Sequence, residues 1–505
     1  MNHVSSLLRL LAGHIEPEQE QSIADVQITG LTLDSRNISN GMLFVALQGT
    51  QQHGIAYAQK AESLGAVAVI WERVDGVDLP ELSIPLIAID QLSEKLGDIA
   101  NRFYGDASHE LNVIGITGTD GKTSVSHFLA QSLNAQGENN CAVIGTLGIG
   151  LPNQLKKASH TTPDVITVHD ILAKQKQAGI KTVAMEVSSH ALDQGRVNGV
   201  QFDTAILTNL TRDHLDYHGT VEAYAAAKEK LFYWQGLKNI VVNTDDAMGL
   251  RLAKELADKD INIFAYGFAE QKSLPDKLQK IQVKQAQFNH RGIVADIVTP
   301  IGEGVLIAPI LAKFNLSNLL AVLSVLIAMG YSLDDALNRI KQVHTVAGRM
   351  ERVANKTANN APLIVVDFAH TPDALKQALL ASREHSDKRL ICVFGCGGDR
   401  DKGKRPLMAA IAEQLADQVY VTDDNPRTEN PVNIFADIKQ GFKQADKVVF
   451  EHNRQTAIQL AINSAQQGDV VLIAGKGHEN VQIINNKKYP FDDRVVAKQA
   501  LEKVA

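Results

Sequence analysis

The feature that most constrains the fold is the stretch Val113-Ile-Gly-Ile-Thr-Gly-Thr-Asp-Gly-Lys-Thr-Ser124, in which an apolar run enters a glycine-rich turn. Apolar residues then recur at helical spacing over Val125–Leu133, and Gly137 is in position to end that helix. A strand, a glycine-rich loop and a helix in this order predict a phosphate-binding loop, because glycine lets backbone N–H groups wrap a phosphate. The strict pattern GxxxxGK[ST] is not met, since Ile116 stands five residues before Gly121.

In this loop we expect Lys122 to reach the terminal phosphates of a nucleotide and Thr123 to offer its hydroxyl to Mg²⁺. GTPases, kinases and ligases all use such loops, so the loop alone does not define the reaction. The residues predicted to contact ATP here are Gly118, Thr119, Asp120, Gly121, Lys122, Thr123 and Ser124.

Short apolar runs alternate with helical patterns along the 505 residues, which predicts an α/β protein. Because single hydrophobic cores stop growing at roughly 250–300 residues, about three domains are expected. We place them at 1–106, 107–346 and 347–505. The central domain has the pattern of a mostly parallel, doubly wound sheet, apart from an antiparallel insertion over 281–308 and a long helix over Leu316–Met329.

Composition and charge narrow the class of protein. The net charge of −7 disfavours a general nucleic-acid binder. Three cysteines, Cys141, Cys392 and Cys396, cannot form a disulfide framework and predict small buried side chains in a reducing compartment. The apolar patch within Met1–Ile15 is too short for a membrane span and predicts an amphipathic helix. We therefore expect a soluble, cytoplasmic, monomeric protein that binds neither nucleic acid nor membrane.

Motifs along nearly the whole chain resemble those of the Mur ligase family, in the same order and at compatible spacing. Five resemble motifs of the family in general: Gly118–Ser124, Glu186–His190, Thr208–His214, Gly348–Glu351 and Asp367–Asp373. Four more resemble motifs of the member that adds diaminopimelate: Leu33–Arg36, Gly395–Arg400, Asp424–Arg427 and Gly475–Glu479.

The resemblance implies an N-terminal domain for the UDP end of a substrate, a central ATPase domain and a C-terminal Rossmann-like domain. It also implies an ATP-dependent amide-bond ligase that adds meso-2,6-diaminopimelate to the D-Glu side chain of UDP-MurNAc-L-Ala-D-Glu in peptidoglycan precursor synthesis. ATP would convert that carboxylate to an acyl phosphate, and the amine would then displace phosphate. Because charge builds up between anions, Mg²⁺ and cationic side chains are expected at the site.

The resemblance implies catalytic roles for Lys122, Glu186, His214 and Lys228, and magnesium contacts from Thr123, Glu186, His214 and Lys228. Glu186 follows the apolar run Val183–Met185, where an oxygen ligand for Mg²⁺ is expected at the end of a strand. Lys228 matches the lysine that is carbamylated in these ligases, which turns a cation into an anionic oxygen ligand. Arg349, at the second domain boundary, is implied to contact phosphate.

For the UDP-sugar dipeptide, hydroxyl and amide groups suit the sugar and uracil, and an arginine suits a carboxylate or phosphate. The implied residues are Leu33, Ser35, Thr161, Thr162, Ser188, Gln194 and Arg196. This chain departs from the family pattern at three positions. His160 and Asp120 stand where asparagine is usual, and Ala312 stands where glycine is usual, which we interpret as a tolerated packing change.

For the incoming amino acid, the resemblance implies Arg400, Asp424, Asn425, Pro426, Arg427, Gly475 and Glu479. Each arginine offers a planar fork for a carboxylate, and each acidic residue can neutralise an ammonium group. Lysine lacks the second carboxylate of diaminopimelate and would leave Arg427 unpaired, at a cost of about 1–3 kcal/mol if the site is buried. This favours diaminopimelate over lysine as the substrate.

Three alternatives compete with this interpretation. The first is another ATP-dependent ligase, either the lysine-adding relative or a folylpolyglutamate synthetase; Asp424–Arg427 disfavours the former and Leu33–Arg36 the latter. The second is a P-loop kinase or GTPase, which leaves the C-terminal motifs unexplained. The third is a catalytically silent binding protein, which the intact phosphate-loop lysine disfavours.

Overall fold

The computed structural model describes residues 4–49, 52–268, 274–346, 348–353 and 361–504. These form two compact units, one within residues 1–265 and 273–279 and the other within 266–272 and 280–505. The three predicted domains divide the chain more finely and stay a prediction. Residue 347, where the third is predicted to begin, lies outside the described residues.

The first part of the first unit contains a four-stranded parallel sheet in the order β3-β4-β5-β6. The predicted N-terminal helix has its helical core only at Leu7–Leu11. The elements are β1 (Ser5–Ser6), α1 (Leu7–Leu11), α2 (Pro17–Ile23), β2 (Gln27–Ile28), β3 (Gly30–Thr32), β4 (Met42–Ala46), α3 (Ala58–Ser63), β5 (Ala66–Glu72), β6 (Leu86–Ile89) and α4 (Leu92–Phe103).

The next sheet follows the order β13-β12-β11-β7-β10-β8-β9, and its central pairs are parallel. The helix after the glycine-rich loop ends at Leu133 rather than Gly137, which lies in a separate 3₁₀ turn. The elements are β7 (Asn112–Thr117), α5 (Lys122–Leu133), β8 (Cys141–Gly145), β9 (Gly148–Gly150), α6 (Val165–Gln177), β10 (Thr182–Glu186), α7 (Ser189–Asp193), β11 (Thr204–Leu207), α8 (Leu215–His218), α9 (Val221–Glu229), β12 (Asn239–Asn243), α10 (Ala247–Glu255) and β13 (Asn262–Gly267).

An antiparallel meander and a long apolar helix follow, as predicted. The elements are β14 (Gln279–Asn289), β15 (Gly292–Thr299), β16 (Gly302–Ala308), α11 (Lys313–Ala328) and α12 (Leu333–Ile340). Ala312, just before α11, has φ +79° and ψ 139°, a backbone conformation that glycine adopts far more easily than alanine. Ala312 is also buried in a hydrophobic core cluster, so the alanine adds backbone strain to the predicted packing change.

The second unit carries a six-stranded sheet in the order β17-β18-β22-β19-β20-β21, parallel except for β17. The elements are β17 (Glu351–Val353), β18 (Leu363–Asp367), α13 (Pro372–Arg383), β19 (Leu390–Phe394), α14 (Lys404–Leu415), β20 (Gln418–Thr422), α15 (Pro431–Lys439), β21 (Val449–Glu451), α16 (Arg454–Ser464), β22 (Val470–Ala474), β23 (Val481–Ile484), β24 (Lys487–Pro490) and α17 (Asp493–Val504). The parallel sheets confirm the predicted α/β class.

Two further properties concern the cysteines and the lengths of the helices. Cys141, Cys392 and Cys396 are free and buried, and burial raises the pKa of each thiol to about 12. Over the described part of the chain, no helix combines the length and the apolar character needed to cross a lipid bilayer.

Candidate active site

The glycine-rich loop lies at the carboxyl end of β7, in the middle of the parallel sheet, where ligands of such sheets bind. Gly118 has φ +147°, and a Cβ there would collide with the Thr208 hydroxyl, so this position requires glycine. α5 begins directly after Gly121 with Lys122, Thr123 and Ser124 in its first turn. The loop and the helix start therefore have the arrangement that the sequence predicts.

Residues after the neighbouring strand β11 fix the loop. The Asp120 N–H donates to Asn209 Oδ1 at 2.9 Å, and the Thr119 N–H donates to the Asn209 carbonyl at 2.9 Å. Thr119 Oγ1 lies 3.1 Å from the Tyr224 hydroxyl and accepts from the Thr211 N–H at 2.9 Å. Asn209, Thr211 and Tyr224 were not singled out from the sequence. Residues 209–211 directly follow a parallel strand, and this position could have indicated that they belong to the site.

Two lysines converge on one carbonyl oxygen of the loop. Lys122 Nζ donates to the Gly118 carbonyl at 2.7 Å and to that of Thr119 at 2.8 Å, and Lys228 Nζ donates to the Gly118 carbonyl at 2.9 Å. Lys228 is buried, and its Nζ lies 4.5 Å from the centre of the Tyr224 ring. Burial, helped by the charge of Lys122, lowers the pKa of Lys228 to about 7, and burial also lowers the pKa of Lys122.

Glu186 ends β10 and is fully buried beside the loop. Its carboxylate accepts hydrogen bonds from the Thr123 hydroxyl at 2.9 Å, the Thr146 N–H at 3.0 Å and the Thr146 hydroxyl at 3.1 Å. All three donors are neutral, and among the described residues no cationic side chain forms an ion pair with Glu186. Burial therefore raises the pKa of Glu186 above its usual value, with these hydrogen bonds opposing the change. Thr146 was missed from the sequence, although it follows a strand of this sheet.

His214 lies in an aromatic cluster on the surface. Its side chain is 48% exposed, and its ring centre is 4.9 Å from that of His190 and 6.0 Å from that of Tyr224. His190 also packs against Tyr217, at 4.2 Å, and against His218, at 5.4 Å. Within the described residues, no three His, Cys, Asp or Glu side chains converge as a ready-made metal cage.

Five of the seven residues predicted for the UDP-sugar dipeptide lie close to Glu186 or to one another. Thr161 Oγ1 is 3.0 Å from Thr146 Oγ1, and the Thr162 hydroxyl donates to the Glu186 carbonyl at 2.8 Å. The other contacts are Ser188 N–H to Thr162 Oγ1 at 3.1 Å, Arg196 Nη1 to the Thr162 carbonyl at 3.1 Å and Arg196 Nε to Gln194 Oε1 at 2.9 Å. Leu33 and Ser35 follow β3 in the four-stranded sheet, away from this network. His160 is exposed and contacts Ser159.

The residues predicted for the incoming amino acid come from three loops, which follow the adjacent strands β19, β20 and β22. Asn425 Nδ2 donates to Glu479 Oε2 at 2.9 Å, and Arg427 Nη1 donates to the Gly398 carbonyl at 2.8 Å. A Cβ built on Gly397 would meet both Arg427 and Arg400, and one on Gly475 would lie 2.6 Å from Asp424 Oδ2. The structure therefore brings these residues together.

The charged groups of this second cluster differ in burial. Asp424 is buried, which raises the pKa of its carboxyl group despite the nearby charges of Arg454 and Lys476. Arg400 is exposed and Arg427 is half-buried. Pro426 is buried within the turn that connects Asn425 to Arg427. Two carboxylates and two guanidinium groups thus surround one end of the sheet.

Two further arginines, Arg349 and Arg405, differ in burial and in their contacts. Arg349 is exposed, and its guanidinium lies 5.7 Å from the centre of the Phe368 ring within the second unit. Arg405 ends the basic run that starts at Arg400, but it is fully buried and pairs with Glu429 at 2.7 Å and Asp437 at 2.8 Å. Arg405 is thus a structural residue rather than part of a solvated basic face.

Comparison with known proteins gives three family matches along the chain. Residues 27–104 match "Mur ligase family, catalytic domain", residues 116–326 match "Mur ligase middle domain" and residues 348–477 match "Mur ligase, glutamate ligase domain".

Relatives match over nearly the full length. The UDP-N-acetylmuramoyl-L-alanyl-D-glutamate–2,6-diaminopimelate ligase of Pseudomonas aeruginosa is 51% identical and covers 95% of this chain and 96% of its own. The enzyme of the same description from Coxiella burnetii is 47% identical, over 98% and 99% of the two chains. A solved structure of a ligase with this description aligns with a TM-score of 0.78 and 35% identity, covering 99% of both chains.

Proposed function

The chain belongs to the Mur ligase family, and from this we propose that it is the ATP-dependent ligase that joins 2,6-diaminopimelate to the D-glutamyl side chain of UDP-MurNAc-L-Ala-D-Glu. The full-length relatives named for this reaction support the proposal, and they argue against the kinase, GTPase and folate-ligase alternatives. We further propose the meso isomer as the amino acid.

The observation that carries this substrate assignment is the set of charges at the carboxyl end of the second unit's sheet. Arg400 and Arg427 both lie beside Gly397, Asp424 lies beside Gly475, and Glu479 bonds to Asn425. A diamino diacid has two carboxylates and two ammonium groups, so each charged side chain can find an opposite partner. Lysine would leave one guanidinium group without a carboxylate.

We propose that the phosphate loop binds ATP and positions its terminal phosphate. An oxygen of the D-glutamyl carboxylate attacks the γ-phosphorus, and the bond to ADP breaks. The amine of diaminopimelate then attacks the acyl carbon, a C–N bond forms, and inorganic phosphate leaves while the amine loses a proton. Lys122 and the backbone N–H groups of Gly118–Thr123 stabilise the transferring phosphoryl group, since little other chemistry is required of the protein.

The donor set beside the loop fits Mg²⁺. Glu186 is a buried carboxylate held only by neutral donors, and one of these is the Thr123 hydroxyl. Mg²⁺ is usually held by one or two carboxylates, water and substrate phosphates, so a complete protein cage is not required. When bound, the ion would neutralise charge on the phosphate oxygens. We propose that Glu186, Thr123, His214 and carbamylated Lys228 hold magnesium.

The surroundings of Lys228 support the carbamate proposal. With a pKa lowered to about 7, the amine is largely neutral slightly above neutral pH, and the neutral amine is the form that reacts with CO₂. The nitrogen then bonds to carbon, and one amine proton is released. ¹³C NMR with labelled bicarbonate tests this: we expect a carbamate signal that is missing from Lys228→Met, and its absence from the unaltered protein would refute the carbamate.

We also propose that Thr161, Thr162, Ser188, Gln194 and Arg196 contact the dipeptide end of the UDP substrate, and Leu33 and Ser35 its uridine end. Arg349 is proposed to contact ATP. Use of ATP and three unpaired thiols support a cytoplasmic enzyme. We also propose that the enzyme is a monomer.

The deciding experiment measures phosphate release with each substrate omitted in turn. We expect release only when ATP, UDP-MurNAc-L-Ala-D-Glu and meso-diaminopimelate are all present, with L-lysine far less effective. Equal rates with lysine would refute the substrate assignment. With ¹⁸O in the D-glutamyl carboxylate, one labelled oxygen should appear in the released phosphate, and its absence would refute the acyl phosphate.

A further inference from the structure

Lys476, directly after Gly475, is a fully buried lysine that has no role in the function proposed above. Its Nζ donates to Asn425 Oδ1 at 3.0 Å and lies 3.2 Å from Glu479 Oε2. Burial of an ammonium group is costly unless the group is paired and hydrogen-bonded. Both partners of this buried cation belong to the proposed amino-acid site.

The hydrogen bonds of Asn425 show what Lys476 does locally. Asn425 Oδ1 accepts from Lys476 Nζ and from the Ile483 N–H at 2.9 Å, while its Nδ2 donates to Glu479 Oε2 at 2.9 Å. A reversed amide would place its NH₂ group against the ammonium group. Lys476 therefore fixes the orientation of the Asn425 amide. Both hydrogen bonds to Glu479 are made to Oε2, and Oε1 takes no part in them.

The second buried cation at this end of the sheet, Arg454, is occupied elsewhere. Its Nε and Nη2 bond to the two oxygens of Asp493 at 2.8 and 2.7 Å, and Nη2 also donates to the Ala474 carbonyl at 3.0 Å. Arg454 is thus engaged by Asp493, although its Nη1 has no hydrogen-bond partner among the described residues, and Lys476 is the buried cation that contacts Asn425 and Glu479.

We propose that Lys476 is a positioning residue for the amino-acid substrate: it sets the Asn425 amide and holds Glu479 so that the free carboxylate oxygens receive a substrate ammonium group. This inference rests on the proposed function. The proposal predicts that removal of the Lys476 ammonium group weakens binding of diaminopimelate, whereas simple electrostatics predicts that it strengthens binding. Removal of a positive charge should strengthen attraction for an ammonium group, whereas loss of the positioning contacts should weaken binding.

The ionisation of Glu479 gives an independent measure of the contact. Burial opposes its ionisation, but the hydrogen bond from Asn425 and the charge of Lys476 outweigh burial and lower the pKa of Glu479. In Lys476→Met the pKa of Glu479 should rise. In an Asp424→Asn background, where the group with the raised pKa is absent, the pH at which the KM for diaminopimelate increases on acidification should then move upward, which loss of stability alone would not cause.

The experiment compares the KM values for the three substrates in the full-length enzyme. In Lys476→Met we expect the KM for meso-diaminopimelate to rise about tenfold or more, with the KM for ATP and for the UDP substrate within about twofold. Lys476→Gln should show a smaller rise, because its amide can still donate to Asn425. The matched control is Asp469→Asn, which disturbs the pair of the buried Asp469 and the partly exposed Arg389 at the opposite end of the same strand and should leave all three KM values unchanged.

A double variant tests whether Lys476 acts through Glu479. If it does, Lys476→Met combined with Glu479→Gln should raise the KM for diaminopimelate no further than Glu479→Gln alone. An unchanged or lowered KM in Lys476→Met, an equal rise for all three substrates, or failure of both Lys476 variants to fold while the control folds would overturn the inference. If the unaltered enzyme does not use diaminopimelate, the proposed function fails instead.

Discussion

The phosphate loop and the amino-acid cluster are built in different ways. In the phosphate loop, Lys122 and Lys228 bond to a backbone carbonyl, and Glu186 is held by threonine and backbone donors. In the amino-acid cluster, Asn425, Lys476 and Glu479 bond to one another through their side chains across two loops, and Arg427 reaches the Gly398 carbonyl in a third. The difference teaches that the phosphate loop is fixed largely through backbone groups, both its own and those after β11, whereas the amino-acid cluster depends on long side chains that join several loops.

The contrast predicts that a change in one region leaves substrate binding in the other intact. The largest effect is expected for Lys122→Met, which removes the ammonium group that donates to the Gly118 and Thr119 carbonyls. Activity should fall about 10²–10³-fold, while binding of diaminopimelate, measured by calorimetry, changes little. Lys254→Met, an exposed lysine on α10, is the control. Loss of diaminopimelate binding in Lys122→Met would show that the two regions are not independent.

The second expected effect is that of Arg427→Ala. Loss of one carboxylate partner should weaken the use of diaminopimelate by about 1–3 kcal/mol, roughly 5- to 150-fold in kcat/KM, while nucleotide binding survives. Steady-state kinetics with each substrate varied checks this, with Arg383→Ala, a partly exposed arginine, as control. Unchanged kinetics would remove Arg427 from the site.

The pH dependence of the KM for diaminopimelate should come from the amino-acid cluster. Because burial raises the pKa of Asp424, its carboxylate becomes protonated at a higher pH than an ordinary aspartate, and a neutral carboxyl group attracts an ammonium group less. The KM for diaminopimelate should therefore rise as the pH falls. Asp424→Asn should have a high KM throughout and lose the part of this dependence that lies above the pH range in which Glu479, with its lowered pKa, becomes protonated. An identical pH profile in that variant would assign the effect to another group.

The smallest expected effect lies outside both regions. Ala312→Gly should relieve the positive φ and stabilise the protein by about 1 kcal/mol, measured as the free energy of unfolding in urea. The Ala312 N–H donates to His385 Nε2 at 2.8 Å, and glycine keeps that N–H. The activity of the enzyme and its use of ATP and diaminopimelate should be unchanged. A decrease in stability would show that the lost methyl group matters more than the strain.

The sequence predicted the elements that have strong local patterns. The parallel strands of both sheets, the antiparallel meander and the helix after the phosphate loop could be placed because apolar runs and glycines mark them. The short strands β9, β17, β23 and β24 were missed, because three or four residues leave too little pattern to detect. The six-residue strand β13 was missed as well.

Within the candidate site, motifs identified residues that follow single strands, such as Lys122 and Glu186. They could not identify Thr146 or Tyr224, whose importance comes from contacts with residues 40 and 105 positions away in the chain. The sequence could not predict which charged side chains are buried. Arg405 and Lys476 stand in polar stretches of sequence, yet both are fully buried.

The burial of every thiol has a practical consequence. With Cys141, Cys392 and Cys396 enclosed and protonated, reagents that attack thiolates should find little to modify in the folded protein. A cysteine introduced at an exposed position in each unit could then carry a dye or spin label without prior removal of native residues. The natural sequence is thus a ready background for watching the two units during turnover.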